Sequence, residues 1–185
     1  MGLLIAFSPF LVFLIGERHF GIVPALCAGA AMAGALVVRE RWRGTRETRV
    51  LEIGTTVLFA ALAGCAAVVT NVAWSVSLVR LVLDLGLMIL IMAGIVIGKP
   101  FTLAFSRAKV TAERAATPEF LHTNRIIAGV WAGAFSMLAI ADAVSMLHPD
   151  WPLAVPILIG AVGLLGAMAL TRWLPARMAR FFLRA

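Results

Sequence analysis

Residues 74–98 form an apolar run of about 25 residues in which charge intrudes only at Arg80 and Asp84. A helix of that length crosses the ~30 Å hydrocarbon core of a bilayer with some tilt. Placing a charged side chain near the middle of such a helix costs about 3 kcal/mol on insertion scales, so Arg80 and Asp84 must face protein and find partners on other helices. One span with two such charges therefore requires several more spans around it.

Composition agrees. A soluble domain is about half apolar and about a quarter charged. This chain is 62% hydrophobic and 14% charged, with a mean hydropathy of +1.01. The apolar residues also gather into long blocks separated by short polar stretches, which is the pattern of repeated membrane crossings. The formal charge of +7 does not indicate nucleic-acid binding, because the basic residues lie in the gaps between apolar blocks and no soluble basic domain is present. Cys27 and Cys65 both fall inside apolar blocks, which is neither a disulfide framework nor metal-ligand spacing.

The blocks predict an all-α, polytopic membrane helical bundle with six transmembrane helices, at about 1–16, 20–38, 50–70, 74–98, 126–147 and 151–171. A basic amphipathic tail, 172–185, follows. The stretch 17–19 reads as a tight polar turn. In the connection 101–125, Lys99-Pro100 and Pro118 argue against one continuous helix. Arginine and lysine counting sets the orientation. The first, third and fifth connections hold only Arg18, whereas the second holds Arg39, Arg41, Arg43, Arg46 and Arg49 and the fourth holds Lys99, Arg107, Lys109, Arg114 and Arg125. The tail adds Arg172, Arg177, Arg180 and Arg184. The positive-inside rule then makes the N and C termini and the even-numbered connections cytoplasmic. Trp42 and Trp173 at the cytoplasmic ends, with Trp74 and Trp151 at the external ends, match an aromatic belt.

Depth along the helices locates candidate chemistry. At 1.5 Å per residue, Arg80 lies about 8 Å below the external end of the fourth span and Asp84 about 6 Å deeper, one turn on along the same face. Asp142 lies about 8 Å below the external end of the fifth span. An intramembrane cluster of Arg80, Asp84 and Asp142 has two readings: a substrate or proton pathway, or a charge-neutralising latch that holds two helices in register. The same two spans carry Gly94 and Gly98, and Gly129 and Gly133, each pair four residues apart near the cytoplasmic side. Small residues at that spacing let helix backbones approach closely in lipid, so tight packing of the fourth and fifth spans through these glycines is expected. His19, His122 and His148 fall at different ends of the membrane, so no metal site is expected. No phosphate-binding loop, nucleophilic serine motif or metalloprotease motif is present. In the tail, Arg177, Arg180 and Arg184 share one helical face and Leu174, Met178, Phe181 and Phe182 another. That arrangement predicts an interfacial helix whose partners are the lipid bilayer and its anionic head groups.

The residues Phe7, Ser8, Pro9 and Phe10, the pair Lys99-Pro100, and the stretch from Pro118 through Asn124 to Trp131 and Phe135 resemble the intracellular septation protein A family. The Gly-Lys-Pro-Phe-Thr sequence at 98–102 is similar to one found in a looser group of membrane proteins. The resemblance implies a multi-pass protein of the bacterial inner (cytoplasmic) membrane with a part in cell-envelope or division processes. Envelope or division proteins would be its partners, and it would have no catalytic residues and no cofactor. On this basis the leading expectation is a non-enzymatic scaffold or accessory factor. The alternative is a small-solute or proton-linked transporter using Arg80, Asp84 and Asp142.

Overall fold

The computed structural model of the chain describes residues 5–42, 50–69, 71–72, 74–107, 110–148, 150–152 and 154–182. Its helices are α1 (Ser8–Phe20), α2 (Ile22–Trp42), α3 (Val50–Val68), α4 (Val76–Val96), α5 (Thr102–Arg107), α6 (Ala112–Ala115), α7 (Pro118–Leu147) and α8 (Ala154–Phe182). No strand occurs among the described residues. This is the outcome lipid enforces, because a helix satisfies its backbone hydrogen bonds internally where water cannot. Among the described residues, five stretches are long and apolar enough to cross a membrane: Ile22–Trp42, Leu51–Val68, Val76–Val96, Pro118–Leu147 and Ala154–Pro175. By length and composition the chain is a multi-pass membrane protein.

Helix ends are written locally. Pro9 sits in the first turn of α1, where a missing N–H costs nothing. Thr117 caps α7, its side chain accepting from the Phe120 N–H at 3.3 Å, with Pro118 immediately after. The hydroxyl of Ser75 accepts from the Leu78 N–H at 3.1 Å at the start of α4.

Three boundaries differ from the sequence expectation. The expected turn at 17–19 is helical, and the break falls instead at Gly21, whose φ of 83° is open to glycine at little cost. Charged residues at the end of an apolar block look like a loop in sequence, yet they can extend a helix into the polar zone. The first expected span, 1–16, overlaps the 13-residue α1, and residues 1–4 lie outside the described residues. At the other end, the expected tail is not a separate helix: α8 runs through Pro175 to Phe182, so span and tail are one element. The connection 101–125 is indeed broken, into α5, α6 and the first turns of α7.

The chain divides into two compact units, 1–83 and 84–185, with the division inside α4. In the first unit α1, α2 and α3 pack in sequence around Phe59. Its ring is fully buried and lies edge-on to Phe10 at 5.0 Å and to Phe13 at 6.2 Å. Leu26, Leu62, Ala63, Val79 and Leu83 complete that core. Gly29 on α2 makes it possible: a Cβ there would lie 2.6 Å from the Phe59 ring and 3.3 Å from the Pro9 carbonyl oxygen. In the second unit α7 is the central element, with half of its apolar window buried against 22% of that of α8. The outward faces remain apolar, as at Ile140, Ile157, Leu158, Val162 and Leu165, and they require lipid rather than water.

Replacing Gly29 with alanine should displace the Phe59 ring and lower stability by about 1–3 kcal/mol, the usual cost of overpacking a filled core. Gly64→Ala, where a Cβ meets nothing within 4 Å, serves as the control. Melting of both variants in the same detergent checks this, and equal midpoints would refute the packing role of Gly29.

Candidate functional site

The distinctive residues of the chain converge in the second unit, where α4 ends. Gly98 has a φ of 79°. Its N–H donates to the Ile95 carbonyl at 3.1 Å, and the Lys99 N–H donates to the Gly94 carbonyl at 2.8 Å. These are the paired bonds of a Schellman cap, which stops the helix and satisfies its last carbonyls. Pro100 follows and cannot resume it. The chain then turns into a buried segment, Pro100, Phe101, Thr102 and Leu103, that begins α5.

Asn124 on α7 receives this segment. The Thr102 hydroxyl donates to the Asn124 carbonyl oxygen at 2.9 Å, and the Ser106 hydroxyl lies 2.7 Å from Asn124 Oδ1. Asn124 Nδ2 donates to the Phe120 carbonyl at 2.8 Å. Ser106 also lies 2.8 Å from the Thr102 carbonyl. A hydroxyl has one proton, so it serves one of these acceptors at a time. Asn124 is 2% exposed, and an unsatisfied buried amide would cost about 1–3 kcal/mol. The knot therefore holds α5 against α7 in a single arrangement.

Higher on α7, Trp131 is buried and its Nε1 donates to Thr171 Oγ1 on α8 at 2.9 Å. Gly160 and Gly163 continue the same seam. A Cβ on Gly160 would lie 3.1 Å from the Leu138 side chain, and one on Gly163 would lie 3.6 Å from the Ala134 carbonyl oxygen. This corrects the glycine expectation. A Cβ on Gly129 or Gly133 would meet nothing within 4 Å, and Gly94 faces the Lys99 carbonyl of its own capping turn at 3.2 Å. The expected tight packing of the fourth and fifth spans through Gly94, Gly98, Gly129 and Gly133 is therefore not what joins these helices. Spacing identifies a small face but not the neighbour it meets. The close helix pair is α7 with α8, through Gly160 and Gly163, whose own small-residue spacing was the overlooked signal.

Helices α4 and α7 do meet, at two other points. Ser136 Oγ lies 3.1 Å from Met88 Sδ, and a Cβ on Gly98 would lie 3.5 Å from Arg125 Nη2. Met88 precedes Gly98 by ten residues and Ser136 follows Arg125 by eleven, so the two helices run antiparallel in register. From the Met88–Ser136 contact, Asp84 lies about 6 Å back along α4 and Asp142 about 9 Å on along α7, in the same direction. The two carboxyls thus come within about 3 Å of one level. Asp84 is 8% exposed and Asp142 2%. Arg80 is half-buried one turn before Asp84 on α4. Asp84 and Asp142, expected inside apolar spans, are thus both buried.

A further buried carboxyl was missed. Glu52 is 7% exposed in the first turn of α3. In the tail, the Arg177 guanidinium carbon sits 4.2 Å over the Trp173 ring centroid. Arg184 and the side chain of Arg180 lie outside the described residues. Cys27 and Cys65 are both exposed. Comparison of the chain with family models, with curated proteins and with solved structures returned no match.

Replacing Asn124 with alanine removes the Ser106 tie to its side chain while leaving the Thr102 bond to its backbone carbonyl, and should loosen α5 on α7 and open the connection to protease. Trypsin cleavage at Arg107 and Arg114 in detergent should accelerate at least several-fold over wild type. Ser106→Ala removes the same bond between α5 and α7 and should accelerate cleavage in the same direction. Unchanged cleavage in Asn124→Ala would show that the knot does not hold the segment.

Proposed function

We propose that the chain is a six-span protein of the bacterial inner membrane, with both ends of this sequence on the cytoplasmic side, that acts as a non-catalytic scaffold or accessory factor in cell-envelope or division processes. One observation carries this reading. Of the residues on which the likeness to the septation protein A family rests, Pro9, Pro100, Asn124 and Trp131 are buried, and Asn124 and Trp131 bond within the chain. Residues used in this way maintain a frame, and what a frame offers other molecules is its surfaces. Lys99, which is exposed, stands on such a surface. The arginine-rich even-numbered connections support the orientation, and the expected partners are envelope or division proteins.

A second reading has its own support in the acidic pair. Two carboxyls buried at one level of the same unit, Asp84 and Asp142, are what proton-linked transport of a small solute would use, with Arg80 one turn away on α4.

The two readings separate in a deletion strain with an envelope phenotype. A variant carrying Arg80→Gln, Asp84→Asn and Asp142→Asn should rescue the strain if the protein is a scaffold, provided that its abundance and melting match wild type. Loss of rescue at wild-type abundance and melting would overturn the scaffold reading and favour transport. A proton flux into liposomes, present for wild type and lost on Asp142→Asn, would then be expected.

A further inference from the structure

At the end of the second unit where α4 stops, cations from three segments gather. The Trp131–Thr171 bond fixes α7 against α8, and the contacts of Gly160 with Leu138 and of Gly163 with Ala134 show that the two run antiparallel. Arg125 lies six residues before Trp131, and Arg177 lies six residues after Thr171. In antiparallel helices both displacements point the same way, by about 9 Å. The Arg125 guanidinium extends to Gly98, the residue beside Lys99. Lys99, Arg125 and Arg177 are therefore drawn from the α4 cap, the start of α7 and the end of α8 to the same end of the unit, with Arg177 up to about 8 Å beyond Arg125 along the helices, and all three are exposed.

That end is the edge of the apolar zone. The apolar windows of α4 and α8 close at Val96 and Pro175, so Lys99 and Arg177 stand just beyond them, and Arg125 directly precedes the apolar part of α7. Trp173, 50% exposed, marks the same boundary, where an indole is at home. Stacking over Trp173 holds the Arg177 guanidinium by its face and leaves its in-plane N–H groups for an anion.

We propose that Lys99, Arg125 and Arg177 form a collar that binds the head-group phosphates of anionic phospholipid in the leaflet on that side. A zwitterionic lipid has the same phosphate, but its own ammonium cancels the charge that three cations would attract. This deepens the functional reading and rests on it only for membrane placement. The binding measurement is made in detergent and leaves the envelope assay untouched, so either can fail alone.

The test uses the full chain in a neutral detergent, melted with added phosphatidylglycerol, phosphatidylcholine or inorganic phosphate. Phosphatidylglycerol should raise the melting temperature by several degrees, and the other two should not. The triple variant Lys99→Gln, Arg125→Gln and Arg177→Gln should lose more than half of that rise, while Arg39→Gln with Arg41→Gln, at the end of α2, should keep it. The proposal is overturned if the triple variant responds as wild type does, if the α2 variant loses as much, or if phosphatidylcholine or free phosphate reproduces the effect. Should the triple variant fail to fold, wild type decides: the rise must vanish at ~1 M salt, where exposed charges are screened within about 3 Å, and persistence at that salt would sink the collar.

Discussion

Lipid offers a helix neither hydrogen bonds nor any gain from hiding apolar surface, so the ordinary driving force of folding does not choose one helix arrangement over another. What remains is close van der Waals contact at small residues and the need to satisfy every buried polar group. The second unit shows how few such contacts suffice. Along α7, Asn124 ties α5, Trp131 ties α8, and Ser136 touches Met88 of α4. Each tie goes to a different neighbour and sits at a different height, so together they leave α7 little freedom to slide or rotate.

The first unit relies on shape instead. Its core is aromatic, and the decisive polar feature is an absence: no side chain at Gly29, where the Phe59 ring and the Pro9 carbonyl need the space. Phe10 and Phe13 meet Phe59 at tilted angles, the edge-to-face geometry that aromatic quadrupoles prefer. The two units thus illustrate the two means available in a bilayer, one specified by hydrogen bonds and the other by fit.

Much of this was legible in the sequence, because hydropathy and helix-breaking residues act locally. The blocks at 20–38, 50–70 and 74–98 correspond closely to α2, α3 and α4, and the interruption after Lys99-Pro100 follows from the missing N–H of proline. The burial of Asp84 and Asp142 was also legible, since charge in an apolar block has few alternatives. Partner choice was not. Gly129 and Gly133, four apart, and Gly160 and Gly163, three apart, each present a small helix face, and the spacing does not say which of the two faces meets a neighbour. Likewise, Thr102 and Ser106 are unremarkable hydroxyls until the turn at Gly98 folds them back to Asn124. The polar stretch 17–19 was misread because charge marks the edge of the hydrocarbon, not the end of a helix.

The break at Gly21 bears on how such a protein enters the bilayer at all. A single residue separates α1 from α2, and a Cβ on Gly16 would lie 3.4 Å from that of Ala25, so the helices fold back on each other from the first turn. Alone, α1 has 13 residues and ends in Glu17, Arg18 and His19, a weak candidate for partition at about 20 Å in length. Joined so tightly, the two helices form a closed hairpin in which α2, at 21 residues, is the longer arm. A hairpin closed in this way favours entry of both helices together, since α1 by itself is shorter than the ~30 Å hydrocarbon core.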